Sequence, residues 1–250
     1  MGRAQYRRLL AQAYDIDKPE APPLELAYYR SLASRTGGPV LEVMCGSGRF
    51  LLPLLAEGVD IDGVDASGDM LAACRAKGGE AVVGRLFEQE VQSLDLPRRY
   101  ALVFCGGGSF GLLIDDGDIA DALSSFGSVL APGGVLALEV ETPAPSPRPG
   151  TWTGRWWRRD DGELIVLRML HGRREHDVEE ALGIYELYLD GVYVESEVDE
   201  WVRRFWTSEA ITGAVAAAGF RDVRLTTAFE QSGPRPEDGI VSLTARRDHA

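Results

Sequence analysis

Short apolar runs alternate with amphipathic runs between residues 40 and 141 of the chain. The apolar runs have the length of buried strands, and the segments between them space their apolar residues by three or four, as helices do. Strands are expected at 40–44, 59–65, 81–83, 100–105 and 135–140, and helices at 49–57, 68–77 and 115–130. This β–α alternation predicts a largely parallel sheet with helices on both faces.

The pattern changes after a proline-rich bridge at residues 143–150. Within residues 151–206, polar and apolar side chains alternate with period two over 192–202, and the dipeptides 161–162 and 190–191, both Asp-Gly, are typical of hairpin turns. This alternation predicts an antiparallel β insert after the fifth strand. The remaining elements expected are helices at 3–14, 24–34 and 209–218 and strands at 221–228 and 239–245.

Composition and charge narrow the classes of function. The chain has 250 residues, of which 45% are hydrophobic, so it can bury the core of one α/β domain with a modest insertion. Its net charge of −13 disfavours nucleic acid or an anionic membrane surface as the main partner. No apolar run reaches the roughly 18 residues of a membrane span, and the 3 cysteines lack the spacing of a disulfide framework or metal site. Without an apolar segment typical of a secretory signal, a cytoplasmic location is expected.

A glycine-rich turn follows the first expected strand. Residues 46–48 connect that strand to a helix, which brings backbone N–H groups and a helix N-terminus close to a ligand. Glu42 lies inside the apolar strand, where an unpaired charge is costly, and Asp65 ends the next strand, near the spacing of a ribose-binding acid. The dinucleotide fingerprint needs a third glycine where this chain has Leu51, which disfavours a dinucleotide-dependent oxidoreductase. A turn that only connects a strand to a helix is the alternative.

Two stretches together resemble a known family. Residues 42–49, Glu-Val-Met-Cys-Gly-Ser-Gly-Arg, and residues 63–71, Gly-Val-Asp-Ala-Ser-Gly-Asp-Met-Leu, are similar to motifs I and II of the class I S-adenosylmethionine-dependent methyltransferases. The resemblance implies an α/β fold with a Rossmann-like, mixed seven-stranded sheet, and S-adenosyl-L-methionine as cofactor. It also implies a helical lid at 1–36, a cofactor-binding core at 37–143 and 207–250, and the insert at 151–206 on the substrate side.

The same resemblance assigns roles to single residues. Glu42 is expected near the amino group of the cofactor, Asp65 on its ribose hydroxyls, and Glu90 with Val91 at its adenine. Other acids of the adenine loop are interpreted as solvated charges. The other residues expected to contact the cofactor are Cys45, Gly46, Ser47, Gly48, Ala66, Met70 and Cys105.

The glycine-rich loop after the fourth strand is expected to border the acceptor. Its Ser109 and Phe110 resemble the loop of small-molecule enzymes, including N-methyltransferases of nucleotide-linked amino sugars. Those enzymes tend to carry His where this chain has Leu112, so the chain departs from their pattern. Glu141, past the end of the fifth strand, and Trp152, in the insert, are the other candidate acceptor contacts.

A general base is needed where the acceptor arrives protonated. Tyr14 in the lid and His171 and His176 in the insert are the candidates, with a packing role as the alternative for each. No carboxylate and histidine cluster indicates a metal. We expect methyl transfer to an N or O of a small molecule, a secondary metabolite or amino sugar. The alternative is a cofactor-binding protein without transferase activity. A small-molecule acceptor is the expected partner, and a homodimer is left open.

Overall fold

The computed structural model describes residues 6–143, 145–159, 161–227, 229, 233 and 239–247. The strands are β1 (Val40–Val43), β2 (Ile61–Asp65), β3 (Leu86–Glu88), β4 (Tyr100–Cys105), β5 (Leu130–Glu141), β6 (Trp152–Arg158), β7 (Leu164–Glu175), β8 (Val178–Leu189), β9 (Val192–Arg204), β10 (Phe220–Thr227) and β11 (Ile240–Arg247). The α-helices are α1 (Arg8–Asp17), α2 (Pro23–Thr36), α3 (Leu51–Ala56), α4 (Gly68–Gly78), α5 (Asp116–Val129) and α6 (Ser208–Ala217).

Seven strands form one sheet in the order β10-β11-β5-β4-β1-β2-β3. The neighbours from β3 to β5 are parallel, whereas β11 pairs antiparallel with both β5 and β10. The mixed seven-stranded sheet expected from the resemblance is therefore confirmed. Because β1 lies between β2 and β4, the strand order reverses direction there, and open α/β sheets bind ligands outside such a switch point.

Both faces of the central strands β1, β2, β4 and β5 are buried, and most of their residues are apolar. One face packs against α5 and α6, through side chains such as Leu123, Phe126 and Ile211. The other packs against α2, α3 and α4, where Tyr29 and Leu54 are almost inaccessible to solvent. The two layers fix the ends of β1, β2 and β4 relative to one another.

The strands β6 to β9 form a separate four-stranded antiparallel sheet between β5 and α6, which confirms the insert. The helix α1 covers one face of it, with Leu9, Leu10 and Ala13 packed on a buried patch. That patch consists of Ile165, Leu167, Tyr185 and Leu187. The opposite face is open, since Trp156 is 66% exposed and Val198 51%.

The structure differs from the sequence-based expectations at one strand and one turn, and two expected segments lie partly outside the described residues. The third strand was expected at 81–83, but this expectation was wrong, because Gly79–Val82 forms a 3₁₀ turn and β3 follows three residues later. The hairpin turn at His176, with φ of 56°, was not predicted because it lacks glycine. The start of the first expected helix, residues 3–5, and the end of the strand at Ala228 lie outside the described residues.

Candidate functional site

A cavity of about 720 Å³ opens at the carboxyl ends of β1, β2 and β4. The glycine turn and the first residues of α4 form its floor, and Tyr6 and Tyr14 of the N-terminal segment close it from above. The loop after β4 and the far end of β9 supply the remaining walls. The cavity therefore lies at the switch point of the sheet, between the core, α1 and the insert.

The glycine turn has two glycines with different functions. Gly46 and Gly48 have φ of 55° and 86°, in the region that favours glycine. A Cβ on Gly48 would lie 2.6 Å from Cys74 Sγ, so Gly48 is required by the packing of α4 on the turn. A Cβ on Gly46 would meet only Met70 Cε at 3.7 Å, and Gly46 lines the cavity. Only Gly46 thus leaves space for a ligand.

Asp65, at the end of β2, ties the turn to α4. Its carboxylate accepts hydrogen bonds from the backbone N–H of Gly46 at 2.7 Å and of Ser67 at 2.8 Å. Burial raises the pKa of Asp65, and these backbone donors oppose the rise. Each carboxylate oxygen has a further lone pair, and Asp65 lines the cavity. The carboxylate can therefore accept hydroxyl donors from a ligand while it holds the turn.

Glu42 and Arg49 are a buried acid and a buried base in the same cavity wall. Glu42 is 3% exposed and its Oε2 has no hydrogen-bond partner. Burial raises the pKa of Glu42 well above its usual range, and the nearby Arg49 opposes the rise. The Arg49 side chain is 11% exposed, and its Nε has no partner either. Buried polar atoms without partners are costly, so both groups indicate a polar ligand.

The loop after β3 supplies a second polar wall. Glu90, Val91 and Gln92 line the cavity, and Val91 is 5% exposed. The neighbouring Gln89 side chain is bound to the backbone of Asp95. Its amide N–H donates to the Asp95 carbonyl, and its amide oxygen accepts from the Asp95 N–H, each at 2.8 Å. An acid beside an apolar side chain suits a flat heterocycle with an exocyclic amino group.

The loop after β4 forms the opposite wall with Gly106, Gly107 and Ser109. The backbone N–H of Gly107 donates to the carboxylate of Glu139 at 3.0 Å, and the Tyr29 hydroxyl lies 3.4 Å from the same oxygen. Burial raises the pKa of Glu139 to about 7. Glu139 of β5 therefore fixes the loop from behind, although sequence analysis did not single it out.

Tyr14 is the one proposed base that reaches the cavity among the described residues. Burial raises the pKa of its phenol, and the nearby Arg49 opposes the rise. The phenol is therefore a neutral hydrogen-bonding group near pH 7. Its helix α1 is held over the cavity by Asp15, which bonds the Ser47 hydroxyl and, at 2.8 Å, Lys77 Nζ.

The structure brings most of the expected cofactor contacts together. The expected residues that line the cavity are Glu42, Cys45, Gly46, Asp65, Ala66, Met70, Glu90 and Val91, together with Ser109 and Tyr14. The expected residues outside its lining are Ser47, Gly48, Cys105, Phe110, Glu141, Trp152, His171 and His176.

The residues outside the lining have other partners or positions. Phe110 is buried against Trp206 with ring centroids 5.6 Å apart, and the Glu141 carboxylate accepts from Arg203 at 2.9 Å. His171 lies 2.9 Å from the Thr153 hydroxyl within the insert, and Trp152 is 52% exposed.

Arg49, Met44 and Tyr6 line the cavity but were not expected there. Met44 has φ of 56°, which is uncommon for a residue with a side chain and often marks a functional site. A signal for Arg49 was available in the sequence, because a cation just before a helix is unfavourable with the helix dipole.

These groups fit the cofactor that the resemblance implies. The acid at the end of β2 matches ribose hydroxyls, and the wall at Glu90 and Val91 matches adenine. Glu42 and Arg49, each with one buried polar atom that has no hydrogen-bond partner, match a zwitterionic amino-acid end. Among the described residues no group of three or more His, Cys, Asp or Glu side chains could hold a metal ion. No helix within the described ranges is both long and apolar enough to cross a membrane.

Comparisons with known proteins agree with this geometry. A family model described as a methyltransferase domain matches residues 40–134. A dTDP-3-amino-3,6-dideoxy-α-D-glucopyranose N,N-dimethyltransferase from Streptomyces fradiae is 29% identical over 143 residues, covering 55% of each chain. The chain thus spans about half the length of the first curated relatives it matches.

Two solved structures share the fold over almost the whole chain. An S-adenosylmethionine-dependent methyltransferase from Clostridium acetobutylicum has a TM-score of 0.77 at 15% identity and covers 96% of this chain and 98% of its own. A sugar N-methyltransferase from a Streptoalloteichus species has a TM-score of 0.75 at 20% identity, with 95% and 92% covered. Residues 40–134 are thus similar to a methyltransferase domain, and the chain shares its fold with S-adenosylmethionine-dependent methyltransferases.

Proposed function

We propose that the protein transfers a methyl group from S-adenosyl-L-methionine to the amino nitrogen of a small molecule of the amino-sugar type. The observation that carries the proposal is one cavity whose lining includes Glu42, Asp65 and the loop at Glu90, which offer an acceptor to each polar part of this cofactor. Its volume of about 720 Å³ is within the range of small-molecule sites and leaves space for an acceptor.

The nitrogen acceptor is supported by the relatives and by the chemistry of the wall. The relative from Streptomyces fradiae is an N,N-dimethyltransferase of a nucleotide-linked amino sugar. Apolar residues Leu112, Leu113 and Ile114 line the cavity near Ser109, together with Val202 of the insert. An apolar wall lowers the pKa of an amine by desolvation, and a neutral amine is the nucleophile that methyl transfer needs.

The residues of this chain contribute binding, orientation and exclusion of water. When bound, the cofactor supplies a methyl group already activated on a sulfonium, so the protein needs to align the acceptor rather than create the electrophile. We infer that Tyr14, which lines the cavity, accepts a hydrogen bond from the acceptor amine through its hydroxyl and so orients the amine lone pair. Tyr14 of α1 and Val202 of β9 line the cavity, and we infer that these elements limit the access of water to the reacting atoms.

The test is a transfer assay with deuteromethyl-labelled S-adenosylmethionine and matched acceptors. The panel pairs dTDP-amino sugars with the corresponding hydroxy sugars and adds simple phenols and glycine. Mass spectrometry should show a labelled methyl group on the amino sugars and none on their hydroxy counterparts. Labelling of the hydroxy sugars or phenols would contradict the nitrogen acceptor. Tight cofactor binding without transfer to any member would favour a binding protein instead.

A further inference from the structure

Three buried polar atoms without hydrogen-bond partners belong to two residues of the cavity wall and to an acid beside them. They are Arg49 Nε, Glu42 Oε2 and Glu25 Oε2. Burial raises the pKa of Glu42, Glu25 and Tyr14, and the positive charge of Arg49 opposes that rise for all three groups. Arg49 was not among the expected site residues, and the described contacts within the protein leave most of its five donors unused.

The position of the guanidinium is defined by its neighbours. It lies over the Phe50 ring, with its carbon 4.8 Å from the ring centroid. A Cβ on Gly107 would lie 2.7 Å from Arg49 Nη2, so glycine at this point of the loop makes room for the guanidinium. Gly107 itself has φ of 64° and its N–H is held by Glu139. The structure therefore builds a fixed place for this side chain in the cavity wall.

The protein offers Arg49 only a weak partner. The nearest carboxylate oxygen, Glu25 Oε2, lies 3.8 Å from Nη2, which is too far for a hydrogen bond. A desolvated guanidinium without hydrogen bonds is costly. A ligand carboxylate could make two parallel hydrogen bonds to the planar guanidinium, which is the geometry that Arg favours.

We propose that Arg49 binds the α-carboxylate of the cofactor, beside Glu42, for which the family resemblance already implies the α-amino group. The two charges of an α-amino acid lie about one hydrogen-bond length apart, so an acid and a guanidinium that recognise them must be neighbours in one wall. Glu42 and Arg49 meet this condition, and both face the cavity. The inference rests on the proposed function and adds the residue that recognises the carboxylate.

The test uses two probes that differ only in that carboxylate. Calorimetric titrations compare S-adenosylmethionine with decarboxylated S-adenosylmethionine, against the parent and Arg49→Gln. The parent should prefer the carboxylated probe by about 10-fold or more, which corresponds to about 1.4 kcal/mol. Arg49→Gln should lose most of this preference, mainly through weaker binding of S-adenosylmethionine. Arg75→Gln, which removes an exposed arginine of α4 outside the cavity, should keep the parent's preference.

Each other outcome decides against the inference. A parent preference retained in Arg49→Gln would overturn it, even if that variant raised KM for the acceptor. If Arg49→Gln bound both probes more weakly by the same factor, Arg49 would have a structural role only. If Arg49→Gln does not fold, Arg49→Lys carries the same comparison, because lysine keeps the charge but cannot make two parallel bonds. If the parent binds neither probe, the proposed function fails as well, and this result is distinct from the others.

Discussion

Replacing Asp65 tests the centre of the cofactor site. In Asp65→Ala, the N–H groups of Gly46 and Ser67 lose acceptors at 2.7 and 2.8 Å. A buried donor left without a partner costs about 1–3 kcal/mol, and removal of a poorly solvated charge offsets part of this cost. A net loss of about 2 kcal/mol predicts a Tm about 4–8 °C lower for a chain of this size.

The same substitution should weaken cofactor binding beyond its effect on stability. The two ribose hydroxyls would lose a charged acceptor, and such bonds contribute roughly 1.5–3 kcal/mol each before water replaces part of them. A net loss of about 2 kcal/mol raises the dissociation constant of S-adenosylhomocysteine about 30-fold. Asp65→Asn keeps one carbonyl oxygen, so it should have smaller effects on both Tm and affinity.

Calorimetry at a temperature where circular dichroism shows all variants folded separates affinity from stability. Asp121→Ala is the matched control, because it removes an exposed acid of α5 outside the cavity. Parent-like affinity in Asp65→Ala, with or without a lower Tm, would refute the placement of Asp65 at the ribose.

Two further predictions concern other parts of the molecule. Tyr14→Phe should lower kcat for amine methylation about 10-fold or more through the lost hydrogen bond, with cofactor affinity unchanged by calorimetry; an unchanged kcat would remove Tyr14 from the reaction. Glu139 has a folded pKa of about 7, above its ordinary 4.5, so its protonated form stabilises the fold and this contribution is lost as pH rises through 7. Between pH 5.5 and 8, the Tm of Glu139→Gln should therefore fall less with rising pH than the Tm of the parent. Parallel curves of Tm against pH would contradict this.

The core of the fold could be predicted because its pattern is local. Each of β1, β2 and β4 is a short apolar run next to a turn or helix signal, and parallel strands buried on both faces need such runs. The expected position of the third strand was wrong for a physical reason. The run at 81–83 is as apolar as a strand, but the chain turns there, between the positive-φ Gly79 and Gly84. The three residues that pair with β2 come later and are only half buried.

The candidate site could be predicted where motifs specify backbone positions and not where tertiary packing decides. Glu42, Gly46 and Asp65 follow from their places at strand ends. Arg49 reaches the cavity only because Gly107, from a loop distant in sequence, leaves space for its guanidinium. Glu139 acts on the loop through a contact across 32 residues, which no local pattern contains. The acceptor wall depends on how the insert and α1 pack against the core, so it was the least predictable part.

The most direct test of the account is a titration of the purified protein with S-adenosylhomocysteine and, in parallel, with NAD. Both ligands contain adenosine, but only the first has the amino-acid end that Glu42 and Arg49 would hold. The account predicts saturable binding of S-adenosylhomocysteine at one site per chain and no comparable binding of NAD. Tighter binding of NAD, or no binding of S-adenosylhomocysteine to the folded protein, would contradict it.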